Sequence, residues 1–71
     1  MKIPDYINRT DIVIAIQEWI IGKNSERDRA IITRRLLDGI THEALAEEFD
    51  MSDRQVRRIV YRLQESLFVH L

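Results

Sequence analysis

Val56, Ile59, Val60, Leu63 and Leu67 recur every three or four residues near the end of the chain. That spacing returns each side chain to one side of an α-helix for more than three turns, whereas a strand would scatter them over both faces. A helix with one apolar stripe has to lay it against other elements, and only 71 residues are available to supply them. A chain this short buries about 60% of the surface its unfolded form exposes, so the expectation is a single domain, residues 1–71, with a thin core. There is no cysteine, so neither disulfides nor a thiolate metal site reinforce that core. Hydrophobic residues make up 45% of the sequence, enough for a packed interior.

Two glycines and one proline leave few turn signals, and most of the rest favours helix. Pro4 keeps the first residues irregular, giving an N-terminal arm over residues 1–9, and Asn8 or Thr10 offers a cap for a first helix. Residues 11–21, DIVIAIQEWII, admit two readings. Their β-branched density suits a strand. The spacing of Ile12, Ile16, Trp19 and Ile20 favours a helix, with Trp19 in the core and Gly22 and Asn24 as the stop. Ser25 then serves as an N-cap, with Asp28 completing a weaker capping box. Ile31, Ile32, Leu36 and Leu37 form the apolar face of this second segment, with Arg27, Arg34 and Arg35 on its wet side, and Asp38-Gly39 ends it. Thr41 caps a third segment in which Leu45, Ala46 and Phe49 face inward and Glu43, Glu47 and Glu48 face water. Ser52 and Gln55 make a full capping box for the long last segment. The apolar tail, Phe68 to Leu71, packs on the Trp19 region or meets a second chain. Helices are expected near residues 10–21, 26–38, 41–49 and 52–68, in a compact all-α fold of three to four helices.

Residues 41–67 carry the pattern of a helix-turn-helix. Leu45 followed by the small Ala46 lets a second helix cross closely, Phe49 and Met51 flank the turn, and Val56 and Ile59 point back at the first helix. Asp50 stands where this motif usually has glycine. The position wants a left-handed backbone, which Asp visits more readily than most residues. Charge reverses across the corner: residues 41–50 carry four acids and no Lys or Arg, and residues 51–65 carry Arg54, Arg57, Arg58 and Arg62 against Asp53 and Glu65. Arg54, Arg57, Arg58 and Tyr61 lie opposite the Val56/Ile59/Leu63 stripe. A helix buried on one side and lined with guanidinium groups on the other suits the major groove of DNA, where Arg can donate two hydrogen bonds to guanine or one to a phosphate. Gln55 is suited to adenine, and Ser52 with the first backbone N–H groups to a phosphate. The candidate DNA-contacting set is Ser52, Asp53, Arg54, Gln55, Arg57, Arg58, Tyr61 and Arg62. The bland alternative is that these arginines pair with Glu47, Glu48 or Glu65 and merely solvate the surface.

A net charge of −1 argues against a basic arm or a general membrane binder, but local distribution decides DNA binding. The longest apolar run, Ile12–Ile16, is far short of a membrane span, and the N-terminus has no signal core, so a cytoplasmic protein is expected. His42-Glu43 opens like the zinc-protease motif HExxH, but Ala46 occupies the second ligand position. His42 and His70 read as surface histidines. With no Gly-rich phosphate loop either, no catalytic residue, metal or cofactor is expected.

The stretch RDRAIITRRLLDGITHEALAEEFDMSDRQVRRIVYRLQESL, residues 27–67, resembles the C-terminal, promoter-reading domain of bacterial sigma factors. The resemblance rests on Arg27, Arg29 and Arg35, on Gly39 and Thr41, on Glu43-Ala44-Leu45-Ala46-Glu47, and on Ser52 with Val56. It is also similar to small stand-alone sigma-like proteins of Gram-positive bacteria and their mobile elements, where the match reaches back to Trp19. The resemblance implies a four-helix domain that reads promoter DNA with its last helix through Arg54, Gln55, Arg57 and Arg58. With no partner domain for a second promoter element in these residues, a stand-alone regulator of transcription is expected. One short recognition helix reads few base pairs, so either a homodimer or docking on RNA polymerase is expected as well. The competing readings are a protein-interaction module without DNA binding, and a phage or mobile-element accessory for packaging or recombination.

Overall fold

Asn8 decides where the first helix begins. In the computed structural model, which describes residues 8–70, its side-chain oxygen accepts from the Asp11 N–H at 2.8 Å and opens α1 (Arg9–Trp19). Most of the expected N-terminal arm, residues 1–7, lies outside the described residues, as does Leu71 of the tail. The strand alternative for residues 11–21 falls. Isoleucine in a helix costs several tenths of a kcal/mol relative to Ala, whereas burying its side chain contributes about 1.5–3 kcal/mol. Ile12 and Ile16 are buried on one side of α1, together with Ala15, and Ile20 is buried just past its end, so packing outweighs propensity.

The helix stops at Trp19, two residues before the expected end, and Ile20 is extended. Arg29 from the next helix supplies the reason: its Nε donates to the Ile20 carbonyl at 2.8 Å and its Nη2 to the Gln17 carbonyl at 3.0 Å. These are carbonyls left without helical partners at a C-terminus. Trp19 is 46% exposed and not in the core. Its indole stacks on the His70 imidazole, with ring centroids 3.6 Å apart and planes within 2°. The tail therefore packs on the Trp19 region, with Phe68 against the core and Val69 exposed.

Gly22, at φ 115, turns the chain into α2 (Ser25–Leu37). Ser25 is the first helical residue and not the cap. The cap is Asn24, whose side chain makes no capping bond. Asp28 is drawn inward and closes no box: its carboxylate takes Arg27 and Arg62. Ile31 and Ile32 are fully buried, and the other end of α2 is tied down by Arg9, which donates to the Leu37 carbonyl at 3.0 Å. Nor are Arg34 and Arg35 simply solvated. Arg34 pairs with Glu48 at 2.7 Å, and Arg35 donates to the Ile40 carbonyl at 3.0 Å.

The short α3 (His42–Glu48) starts at Thr41, whose hydroxyl accepts from the Ala44 N–H. The long α4 (Asp53–Val69) comes next. All the described regular structure is helical. Helices α2 and α4 each touch the other three, while α1 and α3 do not meet. Their shared core holds Ile12, Ile31, Ile32, Leu45, Val56, Val60 and Leu67 with almost no exposure.

Candidate nucleic-acid interface

The corner between α3 and α4 sets the pitch of the last helix. The Met51 N–H bonds the Ala46 carbonyl at 2.8 Å, and the Asp50 N–H bonds the Glu47 carbonyl at 3.4 Å. This is the paired bonding of a Schellman motif, which requires a left-handed residue after the cap. Asp50 is that residue, at φ 53, and it is the one described non-glycine residue with positive φ. Leu45 is fully buried and Ala46 nearly so, so the backbone of α3 comes close to α4, and Phe49 and Met51 pack against the core on either side of the turn.

Helix α4 then opens with a complete capping box. The Ser52 hydroxyl accepts from the Gln55 N–H at 3.1 Å, and the Gln55 side-chain oxygen accepts from the Ser52 N–H at 2.9 Å. The box is worth about 1 kcal/mol, and it folds Gln55 back on the backbone. Its amide oxygen is thereby engaged, so two of the eight candidate residues, Ser52 and Gln55, hold the helix start in the free protein.

Val56, Ile59, Val60, Leu63 and Leu67 are buried beneath α4. Arg54, Arg57, Arg58 and Tyr61 are exposed on its other side, at i, i+3, i+4 and i+7, the spacing of one helical face. Among the described residues, neither Arg54 nor Arg58 has an ion-pair or side-chain hydrogen-bond partner. Arg57 pairs with Asp53, one turn earlier, with Nε 2.9 Å from Oδ2. Arg62 stands apart from this face. Its Nη2 donates to Asp28 Oδ2 at 3.2 Å, joining α4 to α2, while Arg27 holds the other carboxylate oxygen. The sequence thus named eight residues as one set, and the structure separates them into an exposed face of four, a capping box of two, Asp53 paired with Arg57 within the helix, and Arg62 in an inter-helix ion pair.

Three contributors escaped the sequence reading. Asp28 lies three and four residues before Ile31 and Ile32, which places it on the buried face, and that spacing was the available signal. Arg29 caps the preceding helix from nine and twelve residues away, beyond the reach of any local capping pattern. His42 is half-buried and not a free surface residue. Its ring meets Tyr61 edge-on at 5.7 Å, and its Nε2 is enclosed without a hydrogen-bond partner. Burial holds its pKa below the ordinary histidine value, and the nearby Arg35 and Arg57 push the same way, against an opposing pull from Asp53.

Among the described residues no group of three or more His, Cys, Asp or Glu is placed to hold a metal ion, and no helix is long and apolar enough to cross a membrane. Two helices joined by a tight left-handed turn, the second buried on one side and cationic on the other, define a helix-turn-helix domain, a DNA-binding fold. The chain belongs to the homeodomain-like domain family, which it matches over residues 23–67. That match supports the helix-turn-helix and does not extend to the sigma-factor resemblance. No curated protein and no solved structure matches the chain.

Proposed function

We propose that the protein binds double-stranded DNA by laying the Arg54/Arg57/Arg58/Tyr61 face of α4 into the major groove. The observation that carries this reading is the exposure of those side chains, at i, i+3, i+4 and i+7, opposite a buried stripe. A helix lying in the major groove reaches base edges with that spacing. The family match, which includes this helix, supports the same reading. Residues 1–71 act here as one domain. Helix α1 lies before the matched stretch, yet Ile12, Ile16 and Ile20 share the core with it.

Ser52, with the first backbone N–H groups of α4, sits where the start of the helix meets the backbone of a duplex, and Asp53 acts there through Arg57, with which it pairs. Gln55 reads adenine through both halves of its amide only if the capping box releases its oxygen, and Arg62 reaches DNA only if it leaves Asp28. Affinity comes mainly from phosphate contacts, and the finer job is control of transcription. The likeness of residues 27–67 to a sigma-factor domain frames that job as promoter reading, with RNA polymerase or a second copy of the chain supplying the rest of the specificity. Val13, Ile14 and Ile21, exposed on and just after α1, offer apolar surface for such a partner. A packaging or recombination accessory of a phage or mobile element would use the same DNA contact, and the neighbouring genes separate that job from regulation.

Fluorescence anisotropy with a random-sequence duplex tests the reading. Binding at low salt should weaken with a slope of log K against log salt on the order of −2 to −3, as two or three guanidinium groups displace counterions. Arg58→Ala should reduce that slope by about 1. Absence of duplex binding at low salt would instead favour a protein-interaction module.

A further inference from the structure

We infer that Asp53 is a positioning residue that aims Arg57 at a guanine edge and so sets one base of the DNA site. The inference rests on the duplex-binding reading above and deepens it. Asp53 is the first residue of α4, one turn before Arg57, and its Oδ2 lies 2.9 Å from Arg57 Nε. The carboxylate therefore meets the guanidinium at its inner nitrogen. Among the described residues the two terminal Nη groups have no hydrogen-bond partner, which leaves a fork of two donors for a ligand.

That outer edge matches guanine, which presents two acceptors, O6 and N7, in the major groove. Adenine presents an N–H donor in place of O6, and the guanidinium has no acceptor for it. A carboxylate beside Arg57 also repels phosphate, so it steers this guanidinium from the DNA backbone toward the bases. The Asp53 side chain is 41% exposed, and its position at the start of α4, one turn before Arg57, is what keeps it beside the guanidinium. Arg54 and Arg58 have no such tether among the described residues. Long unpaired side chains suit phosphates, which accept from many directions, whereas a base edge requires a fixed orientation. An exposed ion pair within one helix adds almost nothing to stability, so its consequence lies in orientation.

The test is selection of bound sites from a random duplex pool, with anisotropy then measured on the selected site and its single-base variants. The parent, Asp53→Ala, Asp53→Glu and Arg57→Lys are compared, with thermal melts confirming that each is folded. For the parent, one position should prefer guanine by roughly tenfold to a hundredfold. Asp53→Ala should flatten that preference to within about threefold while random-duplex binding is kept or strengthened, its salt slope steepening by about 1 as the released Arg57 reaches phosphate. Asp53→Glu should restore much of the preference. Arg57→Lys keeps the charge but loses the fork, and should flatten the same position. A guanine preference unchanged in Asp53→Ala, or retained in Arg57→Lys, overturns the inference. So does a parent that binds random duplex but selects no guanine that depends on Arg57, and in that case the duplex-binding reading stands. A parent that binds no duplex removes both.

Discussion

Removing two arginines from this domain should hurt it more than removing the acid they share. The Asp28 side chain is only 10% exposed, while those of Arg27 and Arg62 are 40% and 64% exposed. In Arg62→Ala the carboxylate keeps Arg27. The loss is one charge-assisted hydrogen bond, reduced by the exposure of its donor, or about 1 kcal/mol. In a domain of this size that lowers the melting temperature by about 4–8 °C. The double variant Arg27→Ala/Arg62→Ala leaves a buried carboxylate without a partner, which costs about 3–5 kcal/mol. A domain this small holds roughly 3–5 kcal/mol in total, so the double variant should be largely unfolded. Asp28→Ala leaves two exposed guanidinium groups that water can satisfy, and should cost only about 1 kcal/mol. Adding Asp28→Ala to the double variant should therefore restore folding, because it removes the stranded charge.

Urea and thermal unfolding monitored by circular dichroism measure all four proteins, with the rescue read as recovered helicity. If the double variant loses no more than about twice the Arg62→Ala effect, or if Asp28→Ala fails to rescue it, the carboxylate is not desolvated as described. The same variants divide the candidate DNA-contacting arginines. Arg62→Ala should affect stability more than duplex affinity, and Arg58→Ala should do the reverse.

The turn and the close crossing give further checks. Asp50→Val places a β-branched side chain at φ 53 and should lower stability by about 1–2 kcal/mol, whereas Asp50→Gly should stay within about 1 kcal/mol of the parent in urea midpoint. Ala46→Leu overfills the α3–α4 contact and should cost about 1–3 kcal/mol, visible as a lowered melting temperature. His42 has a folded-state pKa below its unfolded value, so the folded protein resists the proton that the unfolded chain accepts. Its contribution to stability is therefore present above the unfolded pKa, near 6.5, and declines as pH falls through that value toward the folded pKa. Melting temperatures of the parent and His42→Gln should diverge between pH 7 and about 5, with the parent showing the steeper fall.

The elements that were readable are those whose cause is local. The stripe from Val56 to Leu67, the Ser52–Gln55 box, the Thr41 cap and the left-handed Asp50 each depend on neighbours within a few residues, and each appears as expected. Where a distant residue intervenes, the sequence pattern misleads. Trp19 shares the spacing of Ile12 and Ile16, yet it lies at the end of α1, where the stacked His70 covers it and the core does not. The helix looked longer than it is because the residue that terminates it, Arg29, belongs to the next helix. Ser25 resembled a cap because hydroxyls favour that position, but the turn at Gly22 starts the helix one residue sooner.

The arginines show the same division, with a consequence for DNA affinity. By sequence alone, Arg54, Arg57, Arg58 and Arg62 form one cationic group. Each residue turns the helix by about 100°, so Arg62 falls on the flank next to α2, and there the buried Asp28 claims it. Asp28 had to be paired with a cation, because it occupies the apolar face of its own helix. That partner sits 34 residues away in sequence, beyond any periodic pattern. Asp53 offsets a third charge at Arg57. The unpaired positive charge on the face is then carried by Arg54 and Arg58, which favours a salt slope nearer −2 than −4. A chain with a net charge of −1 can still present a cationic surface, because Glu43 and Glu47 lie on α3 and Glu48 is spent on Arg34. A measured slope near −4 would mean that Arg62 leaves Asp28 on binding. The latch between α2 and α4 would then open at the duplex, and the bound domain would be less stable in its core than the free one.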